Sequence, residues 1–207
     1  MTNKEIFDIA MQQSAYDINA KVSDFLMDTN VIVKAGIGPS AKKYYEEPIA
    51  CNFISYGSNI VASVKDEYRE IVERYLSKYE FYHCFETPNM HWFDERMKEN
   101  GYRICFMAEY FLPDINVLKR RECNYQLKVL EQKDFSDLYL PTWSNALCEG
   151  RKQLDVLGIG AYDNGKLIGL AACSADCDDM WQIGVDVLPE YRRQGIASSL
   201  TSNLAIE

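Results

Sequence analysis

Hydrophobic and polar positions alternate in short runs through the second half of the chain, as they do in half-buried strands. The runs 156–162 and 167–174 flank the dipeptide Asn164-Gly165, which suits a tight hairpin turn because both residues tolerate positive φ. Residues 125–130 and 180–187 have similar strand patterns. The second half is therefore predicted to contain four strands.

Helical spacing of apolar residues occurs between and after these strands. Residues 133–140 and 142–149 are predicted to form two helical pieces separated by Pro141, which cannot continue a helix. A further helix is predicted from Ile196, with Leu200 on its apolar face.

The first half mixes both periodicities. Thr2 and Glu5 form a capping box that predicts the start of a helix, and a short helix is predicted after Ser23. The further predicted helices cover 66–78 and 88–100, and the predicted strands cover 31–33, 49–55, 59–64, 81–85 and 103–112. The charged segment 114–123 has no periodicity and separates the halves. We therefore predict two domains, 1–118 and 119–207, of the α+β class with mixed sheets.

Composition narrows the range of partners. The 207 residues carry a net charge of −9, which argues against a nucleic-acid binder because phosphate contacts need clustered Lys and Arg. No apolar run approaches the roughly 20 residues that cross a bilayer, and the first residues do not have the apolar core of a signal peptide. The seven cysteines include no Cys-x-x-Cys pair and are predicted to be reduced thiols of a cytoplasmic protein without a membrane partner.

The segment after the last predicted strand carries the clearest chemical signal. A strand ending at Val187 is followed by Pro189, the basic pair Arg192-Arg193, and Gly195 at the start of a helix. Such a loop directs several backbone N–H groups to one place, and the helix dipole adds partial positive charge there. We therefore predict an anion site for a diphosphate.

These residues also carry a family resemblance. Arg192-x-x-Gly195-x-Ala197, preceded by Val187-x-Pro189, resembles the acyl-CoA-binding motif of the GNAT superfamily of N-acetyltransferases. The resemblance implies the GNAT acyl-CoA N-acyltransferase fold, with acetyl-CoA as acyl donor. The implied pyrophosphate contacts are Arg192, Arg193, Gln194, Gly195, Ile196, Ala197 and Ser198, and the implied backbone donors to the acyl group lie around Val185, Asp186 and Val187.

The resemblance also sets expectations for the whole chain. In the family further strands and a helix follow the helix after the loop, and these would fall beyond Glu207. We therefore expect an incomplete second domain, a piece of a longer protein, and little turnover by the present chain.

The first half has an element order that resembles the back half of a GNAT domain. Its loop after Val64 has no glycine and cannot bring bare backbone up to a phosphate. We therefore infer a degenerate GNAT-like domain in tandem with the second, as in glycine N-acyltransferases. An unrelated α/β domain with the same element order is the alternative.

The implied reaction is acetyl transfer to the primary amine of a small molecule or peptide. The alternatives are another acyl-CoA donor, as in glycine N-acyltransferase-like proteins, or a non-catalytic module that binds CoA or a partner. Asp186 is either a general base or a solvated or structural aspartate, and no catalytic residue is assigned. Tyr191 is interpreted as packing, and Gly184 predicts a bulge or the close approach of a ligand to the backbone.

The other groups of chemically reactive residues give weaker evidence of a functional site. His83 and Cys84 have metal-capable atoms, as do Glu86 and His91, but the first two would point to opposite faces of a strand. We predict neither a metal site nor a cysteine nucleophile. The acidic residues of the turn before the last strand, Asp176, Asp178 and Asp179, are predicted to be solvated.

Overall fold

The computed structural model describes residues 1–207. Its contacts divide the chain into two compact units, Phe7–Leu112 and a second unit made of Met1–Ile6 with Pro113–Glu207. The domain boundary predicted between 118 and 119 stays a prediction. No helix has the length and apolar character needed to span a bilayer.

The first helix begins as its sequence predicts. Helix α1 (Asn3–Asp17) follows Thr2, whose hydroxyl accepts the Glu5 backbone N–H at 3.2 Å, while the Glu5 carboxylate accepts the Thr2 N–H at 2.6 Å. This reciprocal pair is the predicted capping box. The short helix predicted after Ser23 is a 3₁₀ turn over Val22–Leu26.

A three-stranded sheet forms the centre of the first unit. Strands β1 (Val31–Lys34), β2 (Cys51–Ile54) and β3 (Val61–Val64) lie in the order β1-β3-β2, with β3 parallel to β1 and antiparallel to β2. Every residue of β3 is buried. Helices α2 (Arg69–Lys78) and α3 (Thr87–Lys98) share one hydrophobic core with this sheet.

Residues 81–85 are not a strand, so that prediction was wrong. They form a 3₁₀ turn over Phe81–His83. Both edges of β3 are already occupied, and the Tyr75 hydroxyl of α2 donates to the Cys84 carbonyl at 2.5 Å. The aromatic composition that suggested a strand instead supplies core contacts, because β-propensity mainly measures the fit of side chains to a buried surface.

Residues 103–112 are not a strand either. Ile104 N–H donates to Asp94 at 2.7 Å, but no backbone N–H from 105 to 112 has an acceptor in the protein. Phe106 and Phe111 are exposed. The segment has strand propensity without a neighbouring strand, and strands need such a neighbour to be stable. Two of the five elements behind the GNAT-like interpretation of the first half are therefore absent, and the tandem arrangement stays a prediction.

The second unit contains the predicted four-stranded sheet. Strands β4 (Gln126–Glu131), β5 (Asp155–Asp163), β6 (Lys166–Ser174) and β7 (Gln182–Val187) lie in sequence order, each antiparallel to the next. The β5–β6 turn has φ of 48° at Asn164 and 85° at Gly165, as the hairpin prediction requires.

The two faces of this sheet are covered differently. Helix α4 (Ile196–Ile206) packs on one face through Ile196, Leu200 and Leu204. The other face is covered by the 141–148 segment, whose Trp143 and Ala146 are buried against the sheet.

The helical pieces predicted for 133–140 and 142–149 do not form. The structure has 3₁₀ turns at Gln132–Asp134, Pro141–Trp143 and Glu149–Leu154 instead. The backbone N–H groups of Asn145 and Ala146 donate to Asp186 at 2.9 and 3.0 Å, and that of Cys148 donates to Asp155 at 3.0 Å. A helix would use these donors for its own carbonyls, so the carboxylates of the sheet hold the segment out of a helix.

Candidate anion-binding site

The connection from β7 to α4 is a compact loop with two left-handed residues. The chain passes through a 3₁₀ turn at Pro189–Tyr191 and then reaches Arg193, with φ of 64°, and Gly195, with φ of 81°. Glycine adopts this conformation without steric cost, whereas it costs other residues roughly 1–2 kcal/mol. The loop therefore holds Arg193 in a strained backbone conformation, whereas Gly195, two residues later, adopts a similar conformation without strain.

The backbone N–H groups of this loop have no acceptors in the protein. None of the six N–H groups from Arg193 to Ser198 donates a hydrogen bond, and no side chain caps Gly195 at the start of α4. Unpaired donors at a helix N-terminus, together with the helix dipole, bind anions. The loop therefore offers an anion six consecutive backbone donors.

Side chains around the loop favour negative ligands. Arg192 donates from Nε to the Val187 carbonyl at 3.0 Å, and Arg193 is exposed. Glu190 pairs with Lys166 at 3.1 Å. The pKa of Glu190 lies below its usual range because its own backbone N–H and Lys166 stabilise the carboxylate. The acid is thus neutralised by Lys166, while both arginines keep their charge.

A layer of tyrosines supports the loop from the sheet. The Tyr125 hydroxyl donates to Gln194 Oε1 at 2.9 Å, and its ring meets Tyr191 edge to face at 5.7 Å. Tyr191 in turn donates to Asp163 Oδ2 at 2.9 Å, and this hydrogen bond raises the pKa of its phenol. The sequence did not indicate Tyr125 or Asp163, which lie 69 and 28 residues from their partners.

Strand β7 is an edge strand that leads into this loop. Leu188 N–H donates to Ile168 on β6 at 2.9 Å, and the register continues without a bulge through the pair Leu170 and Asp186. Because antiparallel pairs alternate, the N–H of Asp186 points to β6, whereas those of Val185 and Val187 point to the free edge. Neither valine N–H has an acceptor. Of the three predicted backbone donors, the structure places two at the open edge.

Residues 124–205 match the model of the Acetyltransferase (GNAT) family. The match covers β4 to α4, including the loop, and supports an acyltransferase of the GNAT superfamily. GNAT proteins generally bind acyl-CoA and act on amine acceptors. No curated protein and no solved structure matches the chain significantly.

Within residues 124–205, the carboxylate of Asp186 is taken up by hydrogen bonds from the protein. Its Oδ2 accepts the N–H groups of Asn145 and Ala146, and its Oδ1 accepts Asn145 Nδ2 at 2.6 Å. A Cβ on Gly184 would overlap the Asn145 carbonyl oxygen. We expected either a bulge or the close approach of a ligand at Gly184. The bulge is absent because the β6–β7 register is continuous, and the backbone that approaches Gly184 closely is that of Asn145.

Two further acidic residues within 124–205 are buried. Asp176 is 3% exposed and accepts the Ser174 hydroxyl at 2.8 Å, so the prediction that it is solvated was wrong. Asp155 is 1% exposed, and its Oδ1 has no partner. Burial raises the pKa of this carboxyl.

The four residues considered for a metal site do not come together in one group. His83 pairs with Glu86 at 2.7 Å, and His91 lies 3.5 Å from Glu95. No group of three or more His, Cys, Asp or Glu side chains is arranged to hold a metal ion.

Proposed function

We propose that the protein is an N-acetyltransferase that moves the acetyl group of acetyl-CoA to a primary amine. The observation that carries this proposal is the run of six unpaired N–H groups from Arg193 to Ser198, at the N-terminus of α4 and beside two arginines. The GNAT match over 124–205 gives the ligand class. The diphosphate of CoA is the anion that fits both observations.

The edge of β7 supplies the remaining contacts of the donor. It leads directly into the loop, so a CoA held there can extend its acyl arm along the strand. The free N–H groups of Val185 and Val187 can then donate to the arm and to the thioester oxygen. Asp186 contributes no backbone donor at this edge, because its N–H points to β6.

The chemical step needs few protein groups. The amine nitrogen attacks the thioester carbonyl, and the oxyanion that forms is stabilised by backbone donors. The carbon–sulfur bond then breaks and CoA leaves as the thiolate. An alkyl ammonium has a pKa near 10, so a proton must pass from the amine to a base or to water. We assign no residue to that proton transfer.

Calorimetry of acetyl-CoA with the full-length protein tests the loop. Gly195→Glu places a side chain at a φ of 81° and a negative charge among the donors, and we expect it to abolish measurable binding. Gly165→Glu is the matched control, since Gly165 has a φ of 85° and equally open surroundings. Equal binding by both variants and the wild type would refute the loop assignment.

Release of free thiol from acetyl-CoA across a panel of primary amines tests the reaction. We expect release with at least one amine, and none from Gly195→Glu. Release only from longer acyl-CoA donors would replace acetyl by another acyl group. Binding of acetyl-CoA without release for any amine or donor would indicate a non-catalytic binding module.

A further inference from the structure

The two faces of β7 are used for different purposes. Val185 and Val187 pack with α4 on one face. Gly184 and Asp186 point to the other face, because side chains alternate along a strand. The 141–148 segment covers that face, so the free edge of β7 is flanked by α4 on one face and by the 141–148 segment on the other.

Asn145 is fixed on β7 at two positions. Its carbonyl lies against Gly184, where any Cβ would overlap it. Its backbone N–H and its side-chain Nδ2 both donate to Asp186, at 2.9 and 2.6 Å. Ala146 adds a third donor to the same carboxylate.

Four other residues of the 141–148 segment are held by burial or by a hydrogen bond. Trp143, Ala146 and Leu147 are each at most 6% exposed, and Cys148 N–H donates to Asp155. Asn145 itself is exposed, and its side-chain oxygen accepts no hydrogen bond from the protein. Asn145 therefore presents a free acceptor oxygen next to β7, on a side chain that Asp186 holds through its Nδ2.

We propose that Asp186 is a positioning residue: it holds Asn145 as the acceptor for an N–H of the incoming amine. This role rests on the proposed function. Asn145 Oδ1 accepts an N–H from either an ammonium or a neutral amine, so it can hold the substrate before and after it loses its proton. Asp186 acts through Asn145 and does not take that proton.

The hydrogen bonds explain why Asp186 is not the base. Its Oδ2 already accepts two N–H groups and its Oδ1 a third. A general base must come within hydrogen-bonding reach of the proton it removes. Asp186 could do so only by releasing the segment that covers it.

Kinetics with acetyl-CoA and the amine that gives most thiol release separate the two roles. We expect Asp186→Asn and Asn145→Ala to raise KM for the amine about 10-fold, as loss of one oriented hydrogen bond does. Binding of acetyl-CoA and the midpoint of the acid limb of kcat/KM should stay unchanged. The exposed neighbour Ser144→Ala should match the wild type.

A different kinetic result would overturn the positioning role. If Asp186 were the base, Asp186→Asn would lower kcat by about 100-fold or more and remove the acid limb of the pH profile. An unchanged KM for the amine in Asn145→Ala would equally contradict the role of Asn145.

Amide hydrogen exchange tests the anchoring without any activity. In Asp186→Ala we expect at least about 10-fold faster exchange at Asn145 and Ala146. The β6 amides should be unaffected, which also reports that the variant folds, and the exposed control Asp137→Ala should match the wild type. Unchanged protection at Asn145 and Ala146 overturns the proposal. Absence of transfer to any amine refutes the proposed function, and the exchange result still decides the anchoring.

Discussion

Two strand-to-helix connections in this chain have the same order of elements but differ in their backbone and in their charge. Strand β3 passes through a 3₁₀ turn at Asp66–Tyr68 into α2, and β7 passes through one at Pro189–Tyr191 into α4. In the first, α2 begins directly after the turn. In the second, the loop residues 192–195 intervene, with left-handed backbone at Arg193 and Gly195. Only the second connection leaves a run of open N–H groups.

Charge separates the two connections further. Asp66 and Glu67 lie in the first 3₁₀ turn, and Glu70 lies in the first turn of α2. The first turn of α4 has no acid and follows two arginines. Acids at a helix N-terminus satisfy the dipole internally, whereas an open N-terminus leaves it to a ligand. The comparison shows that the open helix N-terminus comes with the four loop residues and their charge, and not with the order of elements.

The largest effect on acetyl-CoA affinity is expected when the first turn of α4 is given an acidic residue, as the first turn of α2 has. Ala197 is exposed and occupies the second helical position of α4, as Glu70 does in α2. We expect Ala197→Glu to weaken acetyl-CoA binding about 30-fold, since like charges about 8 Å apart repel by about 2 kcal/mol at an effective dielectric constant near 20. Calorimetry measures this change.

The same substitution should act oppositely on stability. An acid at a helix N-terminus stabilises the helix by about 0.3–1 kcal/mol, so the Tm of Ala197→Glu should not fall. Glu70→Ala is the converse variant, and we expect a lower Tm and unchanged acetyl-CoA binding. Weaker binding together with a large loss of Tm in Ala197→Glu would mean that misfolding, rather than charge, explains the result.

The second unit was predictable where local signals agree with the tertiary structure. Asn164-Gly165 sets the hairpin turn, and Gly195 sets the left-handed residue before α4. The helical pieces at 133–149 were predicted wrongly because Asp155 and Asp186 take backbone donors from the 141–148 segment. The two contacts to Asp186 join residues 40 and 41 positions apart, which a local pattern does not report.

The first unit was less predictable for a related reason. Its helices α2 and α3 overlap the predicted helices 66–78 and 88–100, and β2 and β3 lie within the predicted strands 49–55 and 59–64. The segments 81–85 and 103–112 have strand composition, but they pair with no strand of either sheet. A strand depends on a partner that its own residues do not specify.

The second prediction compares one aspartate from each unit by its effect on stability against pH. Burial raises the pKa of Asp155, so its stabilising contribution is complete below roughly pH 4 and is lost as the pH rises through its folded pKa. The Arg103 hydrogen bond lowers the pKa of Asp94, so its contribution is present above roughly pH 4 and is lost on acidification.

Denaturant unfolding across pH 2–7 with the asparagine variants measures both contributions. Asp155→Asn should remove a fall in unfolding free energy above roughly pH 4. Asp94→Asn should remove a fall below roughly pH 4. The same pH dependence in both variants would contradict the opposite environments of the two carboxyls.

The smallest effect on acetyl-CoA affinity is expected from the tyrosine that contacts the loop of the second connection. Tyr125→Phe removes the hydrogen bond to Gln194, and we expect about 3-fold weaker acetyl-CoA binding, because one neutral hydrogen bond contributes about 0.5–1.5 kcal/mol. Tyr102→Phe is the control, since Tyr102 meets Tyr68 at the first connection. Equal affinity of the two variants would show that Tyr125 does not order the loop.

The central claim is that the loop before α4 binds the diphosphate of CoA through its backbone. Amide NMR of the full-length protein during titration with acetyl-CoA tests this most directly, residue by residue. We predict that the largest shift changes occur at the N–H groups of Arg193 to Ser198, while those of Asp66 to Arg69 at the first connection stay unchanged. Saturable binding that leaves the 193–198 amides unshifted would contradict the claim.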